Sequence, residues 1–350
     1  MCRCIELARK GAGYTAPNPM VGAVLVCDDR IIGEGWHRQY GQAHAEVNCI
    51  DQAIANGHAE KLIHSTLYVS LEPCAHFGKT PPCADLIIQH KIPHVVIGCR
   101  DPFPAVNGKG IEKLMAAGIN VETGVLENEC RELNKRFFCF HEKKRPYIIL
   151  KWAQTGDGFI APLYANEKKE SPAAQRLLIS NEYTNRLVHQ WRSEEAAILV
   201  GTNTALLDDP ALTNRLWNGP SPVRLVIDRN LRLPVTLRVF NGEAPTIIFN
   251  DSKEGGDASL SFYKLEQEQP LLPQLLNALY KLQLQSVLVE GGAATLQSFI
   301  DAGCWDEARV ITQQQLTISR GLPAPKLVNA RLMNTENIFT DTIEQFQPTP

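Results

Sequence analysis

Four side chains in the first quarter of the chain can do chemistry together. His44 and Glu46 stand two apart in HAE, and Cys74 and Cys83 each follow a proline in LEPCAHFGKTPPC. One histidine and two cysteines supply three zinc ligands, a catalytic set that leaves the fourth tetrahedral position to water. Glu46 is placed to reach that water and shuttle protons without ligating the metal. A second constellation lies in SVLVEGGAATLQSFI, which reads as a buried strand, then Glu290, then Gly291-Gly292, then a helix. Glycines let a backbone approach a phosphate closely, and a helix N-terminus supplies amide donors and the positive end of a dipole. Lys151 sits in the apolar strand YIILKWA. Alternation turns it either towards a cleft, where it can donate a proton, or towards solvent on an edge strand. No G-x-G-x-x-G follows a strand in this half, so a standard dinucleotide fold is unsupported.

The order H-x-E, then two prolyl-cysteines, is the one zinc deaminases use to aim an activated water at a ring carbon bearing an amine. Their short form has two residues between the cysteines, whereas residues 75–82 put eight here. The second cysteine opens the helical pattern CADLIIQHK and can still point back at the metal, with AHFGKTPP as a loop over the pocket. His76 is a candidate fourth ligand, which keeps a closed structural zinc site open as an alternative.

Strands alternating with helices must hold these groups, which implies a mostly parallel sheet covered on both faces. A helix over 4–11 precedes the strands VGAVLVC and RIIGEGWH, whose DDR turn suits a hairpin. HAEVNCIDQAIANG has helical spacing, with Val47, Ile50 and Ile54 on one face. STLYVSLEP and HVVIGCRDP read as strands around CADLIIQHK, and IEKLMAAGINVETGV as helix, turn and strand. The charged segment ELNKRFFCFHEKKRPY ends in proline, which places a junction at 142–146, between domains 1–142 and 146–350. In the second half AAILVG, VRLVID, PTIIFN and SVLVEGG read as strands, NEYTNRLVHQWRSE and AATLQSFIDAG as helices, 167–175 and 251–259 as loops, and the last residues as an edge strand with a frayed tail.

Composition narrows the class. The 350 residues carry 35 basic and 38 acidic side chains, a net charge of −3. Polyanion binders carry a basic excess, so nucleic acid is disfavoured as a partner. No apolar run reaches the roughly 18 residues of a membrane span, and the N-terminus lacks the apolar stretch of a secretory signal. A cytoplasmic, reducing compartment follows, in which eight of the ten cysteines are packing or surface thiols and two are functional.

TAPNPMVGAVLV, GEGWH, HAEVNCI, LEPCAHFGKTPPC and CRDP together resemble the deaminase half of the bifunctional RibD family of riboflavin biosynthesis. ILKWAQTGDGFIA, ILVGTNTALLDDPALTNR, VRLVID and VEGGAATL resemble its reductase half, so the likeness spans nearly the whole chain. The resemblance implies an α/β fold: an N-terminal cytidine-deaminase-like three-layer domain and a C-terminal dihydrofolate-reductase-like domain. It implies zinc-dependent deamination of 2,5-diamino-6-ribosylamino-4(3H)-pyrimidinone 5′-phosphate, then NADPH-dependent reduction of the ribosyl group to ribityl. It implies zinc at His44, Cys74 and Cys83 with Glu46 as proton shuttle, and substrate contacts from Asn18, His76 and Lys79. In the reductase it implies cofactor positions at Ala153, Thr204, Asp208 and Gly292, Ala293, Ala294, Thr295 and Leu296. Arg192, Leu212, Arg215 and Glu290 match substrate positions, and a homo-oligomer is implied. Four residues depart from the family pattern, one of them, Thr155 for Ser, keeping the hydroxyl. Phe103 stands for Asn, which puts polar contacts around Asp101 in question. Gly156 stands for Leu, which leaves rigidity near the nicotinamide open. Arg229 stands for Ser and is read as a contact to the cofactor 2′-phosphate. The alternatives are a nucleic-acid deaminase, which needs basic and aromatic surfaces, and a non-enzymatic zinc module.

Overall fold

The computed structural model describes residues 1–77, 81–104, 106–162 and 177–349. The chain divides into two compact units, Met1–Lys144 and Arg145–Pro350. Lys79 and the expected loop 167–175 lie outside the described residues.

In the first unit, helix α1 (Cys2–Arg9) precedes β1 (Gly22–Cys27) and β2 (Arg30–Trp36). Then come α2 (Ala45–Ala55), β3 (Thr66–Leu71), α3 (Cys83–Gln89), β4 (His94–Cys99), α4 (Lys109–Ala116) and β5 (Asn120–Thr123). Helices α5 (Glu127–Leu133) and α6 (Lys135–Lys143) end the unit. The sheet order is β2-β1-β3-β4-β5. It is mixed, not mostly parallel: β1 pairs antiparallel with β2 and β3, and β3, β4 and β5 run parallel. For β1 and β2 the reason is local. Asp28 and Asp29 both take positive φ (50° and 58°), the geometry of a two-residue hairpin whose twist matches its strands. Alternation then sorts the layers. Ala23, Leu25, Val69 and Ile97 bury against Ile50, Ile87 and Leu114 of α2, α3 and α4. Val24 meets Cys4 and Leu7 of α1 on the other face, where Cys130 and Phe138 of α5 and α6 also pack.

The second unit starts with β6 (Tyr147–Thr155) and β7 (Phe159–Pro162), then α7 (Glu182–Glu194), β8 (Ala197–Gly201), α8 (Thr202–Asp208), β9 (Val223–Ile227) and β10 (Thr246–Asn250). The strands β11 (Gly255–Gly256) and β12 (Leu260–Lys264), α9 (Leu271–Lys281), β13 (Ser286–Val289), α10 (Ala293–Asp301) and β14 (Glu307–Gln313) follow. It ends with β15 (Gly321–Pro323), β16 (Ala330–Ile338) and β17 (Asp341–Pro348). The main sheet runs β11-β12-β10-β9-β8-β13-β6-β14-β17-β16, parallel from β12 through β14. Leu275, Leu279, Phe299 and Ile300 of α9 and α10 cover one face over Ile148, Leu150, Leu199 and Val289.

Two expectations for this half are corrected. The last residues form a hairpin of two paired strands, not one edge strand and a frayed tail, because β17 adds to β14 and buries Ile343 while β16 pairs outside it. Strand β16 is exposed along residues 331–337 and so shows no apolar pattern to read. The expected loop 251–259 holds β11, which adds to β12 at the sheet edge. No helix among the described residues is long and apolar enough to cross a membrane.

Candidate active sites

In the first unit the metal candidates come from three element ends. His44 is the extended residue just before α2, Cys74 follows β3, and Cys83 opens α3 after Pro82. The Cys83 and Cys74 sulfurs lie 3.3 and 3.6 Å from His44 Nδ1, and the three ligand atoms all fall within 4.8 Å of one another. The Cys83 backbone N–H donates to Cys74 Sγ at 3.3 Å, and the Cys83 thiol hydrogen bond holds Cys74 below the ordinary thiol value. A nitrogen and two sulfurs, one already favouring thiolate, fit zinc. His76 is exposed and does not join the set, so among the described residues the cluster has three members, not the four of a closed structural site.

Glu46 stands one residue into α2 from Ala45 and is 3% exposed. Burial raises its carboxyl above the ordinary value, with His44 opposing. A carboxyl whose pKa is raised above its ordinary value is better suited to take and return a proton. Asn18 Nδ2 lies 3.3 Å from His37 Nε2. The His37 ring sits 5.3 Å from that of His44, and its Nδ1 faces the Ala43 carbonyl at 3.1 Å. A carbonyl only accepts, so Nδ1 carries the proton and Nε2 is left to accept from the Asn18 amide. Burial lowers His37 and keeps it neutral in that role.

In the second unit the candidates gather at the carboxyl ends of parallel strands, the edge where open α/β sheets bind ligands. Lys151 is on β6, which lies between β13 and β14, so the edge-strand alternative is overturned. Its Nζ is 3.7 Å from Glu290 Oε2, just past the end of β13. Arg192 of α7 grips the same carboxylate with two bonds of 2.8 and 2.7 Å and donates to the Thr213 carbonyl. It is not a helix-surface charge. Burial alone would push Glu290 up; Arg192 and then Lys151 outweigh it and hold it at about 2. The Arg215 side chain bonds Thr213 Oγ1 at 2.9 Å, and its backbone N–H donates to His189 Nδ1. Leu212 is buried with φ +53°, turning the chain into Thr213.

The glycine turn is built around Thr204 of α8, whose Oγ1 accepts the Gly292 N–H at 2.9 Å. A Cβ on Gly291 would lie 2.8 Å from Thr204 Cγ2, and one on Gly201 2.7 Å from Thr295 Oγ1. Gly292 precedes α10, whose first turn holds Ala293, Ala294, Thr295 and, just after, Leu296. Helix-start N–H groups lack partners inside the helix. The glycines let this turn close on Thr204 and Thr295, and the N–H groups at the start of α10 are the donors that would receive a dinucleotide phosphate. Ala153 lies two residues beyond Lys151 on the same face of β6. Asp208 ends α8. Arg229 follows β9, two strands out from the β13 that the turn leaves, and its Nε donates to Asp251 at 2.9 Å.

Two family descriptions match the two regions. Residues 1–99 match the cytidine and deoxycytidylate deaminase zinc-binding region, and 146–314 match the RibD C-terminal domain. The riboflavin biosynthesis protein RibD of Aquifex aeolicus is 44% identical, over 98% of this chain and 96% of its own. The chain belongs to the RibD family. A solved structure of the Thermotoga maritima diaminohydroxyphosphoribosylaminopyrimidine deaminase/5-amino-6-(5-phosphoribosylamino)uracil reductase is 37% identical. It superposes with a TM-score of 0.87, over 99% of this chain and 97% of that one. Acinetobacter baumannii RibD gives 0.87 at 32% identity, over 100% of this chain and 98% of that one. The fold is thus the deaminase-like and reductase pair that the resemblance implied, in a bifunctional deaminase and reductase of riboflavin biosynthesis.

The departures from the RibD pattern have local explanations. Asp101 accepts from the backbone N–H of Phe103, a bond independent of that side chain, while the Phe103 ring tilts against His141. Gly156 has no room for a side chain, because a Cβ would lie 2.6 Å from the Gln314 carbonyl oxygen. Asp157 ties the same turn to Thr155, Ile318 and Ser319. Sequence reasoning missed His37 as the partner of Asn18, although it stands in GEGWH. It also missed Glu72, whose four bonds are all to backbone and leave no pattern in side-chain types.

Proposed function

We propose that residues 1–142 hydrolytically deaminate 2,5-diamino-6-ribosylamino-4(3H)-pyrimidinone 5′-phosphate, and that residues 146–350 then reduce its ribosyl group to ribityl with NADPH. The carrying observation is the three-atom nitrogen–sulfur cluster next to a buried glutamate in one unit, with a paired Arg192–Glu290–Lys151 array in the other.

His44, Cys74 and Cys83 would hold zinc, which supplies Lewis acidity towards a water. Glu46 Oε would take a proton from the attacking water and return one to the amine that leaves as ammonia, a role its burial and raised pKa suit. Asn18, held by His37, presents its amide to the pyrimidine edge, and His76 and Lys79 serve the substrate's phosphate side. In the other unit Gly292, Ala293, Ala294, Thr295, Leu296, Thr204, Asp208 and Ala153 would hold NADPH, which supplies hydride. Arg229, steadied by Asp251, would contact the 2′-phosphate. Lys151 orients the ribose carbonyl and donates its proton. Glu290, 3.7 Å from its Nζ, holds that side chain in place, while Arg192, Leu212 and Arg215 line the substrate side.

The test incubates purified zinc-loaded protein with the diaminopyrimidine ribosylamino phosphate and follows product mass, first without NADPH and then with it. Loss of the amine alone, then reduction once NADPH is added, is expected. Folded, zinc-bound protein that changes neither mass overturns the reading.

A further inference from the structure

Glu72 is 4% exposed and lies two residues before Cys74, on the irregular backbone that leaves β3. Its carboxylate accepts four backbone N–H groups. Asp101 and Gly108 donate to one oxygen at 3.2 and 3.0 Å, and Gly110 and Ile111 to the other at 2.9 and 3.3 Å. Three of these lie at the start of α4, where N–H groups lack helical partners. The N-cap itself is Gly108, which has no side-chain acceptor to offer. A carboxylate brought from β3 replaces the local cap, and a negative group is favourable at that end of a helix.

The residue between Glu72 and the ligand is held by the same segment. A Cβ on Gly110 would lie 1.9 Å from the Pro73 carbonyl oxygen, so the α4 backbone seats directly on Pro73. Beyond it, Cys74 has its carbonyl bonded to Ala84 N–H and its sulfur to Cys83 N–H. We infer that Glu72 is a positioning residue of the metal centre: by holding the start of α4 under Pro73 it fixes where Cys74 presents its sulfur. The same clamp includes Asp101 and sets the turn bearing Phe103, 6.1 Å from the His76 ring. The inference rests on the deaminase reading of this cluster.

The test compares wild type with Glu72→Gln, whose amide offers one acceptor oxygen and turns an NH2 towards two N–H donors. Both are loaded with cobalt, whose visible bands report the ligand field, and with zinc, whose loss to a chelator is timed. Partners outside the ligand set typically change metal affinity or activity about 10–100-fold. The expected result is altered cobalt bands, zinc release faster by about that factor and a matching fall in deaminase kcat, with reductase kcat unchanged. A folded Glu72→Gln protein with a lower Tm but the same bands, release and kcat overturns the inference and leaves Glu72 as a helix cap alone. If that variant does not fold, Gly110→Ala decides: it keeps the carboxylate but displaces Pro73, and unchanged bands and release in it overturn the inference. Wild-type protein that takes up neither metal sinks the deaminase reading itself, a result distinct from both.

Discussion

At the residue scale, each candidate site holds a buried carboxylate whose surroundings shift its pKa. Glu46 is buried and pushed up, whereas Glu290 is buried and held at about 2 by Arg192 and Lys151. Replacing Glu46 with Gln preserves the ligand set and should lower deamination by about 10²–10⁴-fold, the usual contribution of a positioned proton-transfer group. Metal analysis should show zinc retained; loss of zinc in this variant would assign Glu46 to the ligand set instead. Replacing Arg192 with Met leaves Glu290 buried with only the longer Lys151 contact. Breaking one side of such a pair costs about 3–5 kcal/mol, so denaturant unfolding of the second unit should show a loss near the lower figure. A variant as stable as wild type would mean Lys151 alone satisfies the carboxylate.

At the element scale, the loops carrying the reductase residues are fixed by contacts between strands and turns. Arg224 on β9 is fully buried. It donates to Thr246, Asn241 and the carbonyls of Ala211, Arg238 and Ala244, which ties β9 to the chain just before Leu212. Arg224→Met removes all of these bonds at once, although the Arg238, Ala244 and Asn241 oxygens each keep one other donor, and the loss should be about 3 kcal/mol, or roughly 6–12 °C in Tm. Scanning calorimetry would measure it. The glycine turn permits a sharper separation of roles. Gly291→Val pushes against Thr204 at 2.8 Å and should weaken NADPH binding at least about tenfold, because the turn must open. Fluorescence titration with NADPH reads this directly; unchanged affinity would remove the turn from the cofactor site.

At the scale of the whole molecule, two units with separate cores give each activity an internal control. Chelating zinc should abolish deamination and leave reduction of the deaminated substrate intact. Acid should weaken the second unit through His189, which burial, then Arg192 and Arg215, lower to about 4. The unfolded chain takes up that proton near pH 6.5, so the folded state binds fewer protons between pH 6.5 and 4. Stability is full above that window and falls as pH drops through it; His189→Asn should flatten this part of the profile in pH-dependent unfolding. The sequence by itself determined the chemistry that neighbouring residues carry. HAE and the prolyl-cysteines specify a nitrogen–sulfur ligand set, apolar runs specify the strands, and the Gly291-Gly292 pair marks a strand-to-helix turn. Only the tertiary structure decided what partners distant in the chain do to one another. Arg192 and Glu290 are 98 residues apart yet share one buried salt bridge. Lys151 became a central-strand lysine because β13 and β14 close around β6. Glu72 found its four donors 29 to 39 residues further along the chain. Residue types and spacing report local periodicity and reactivity, whereas these contacts depend on strand order and on backbone groups that every residue shares.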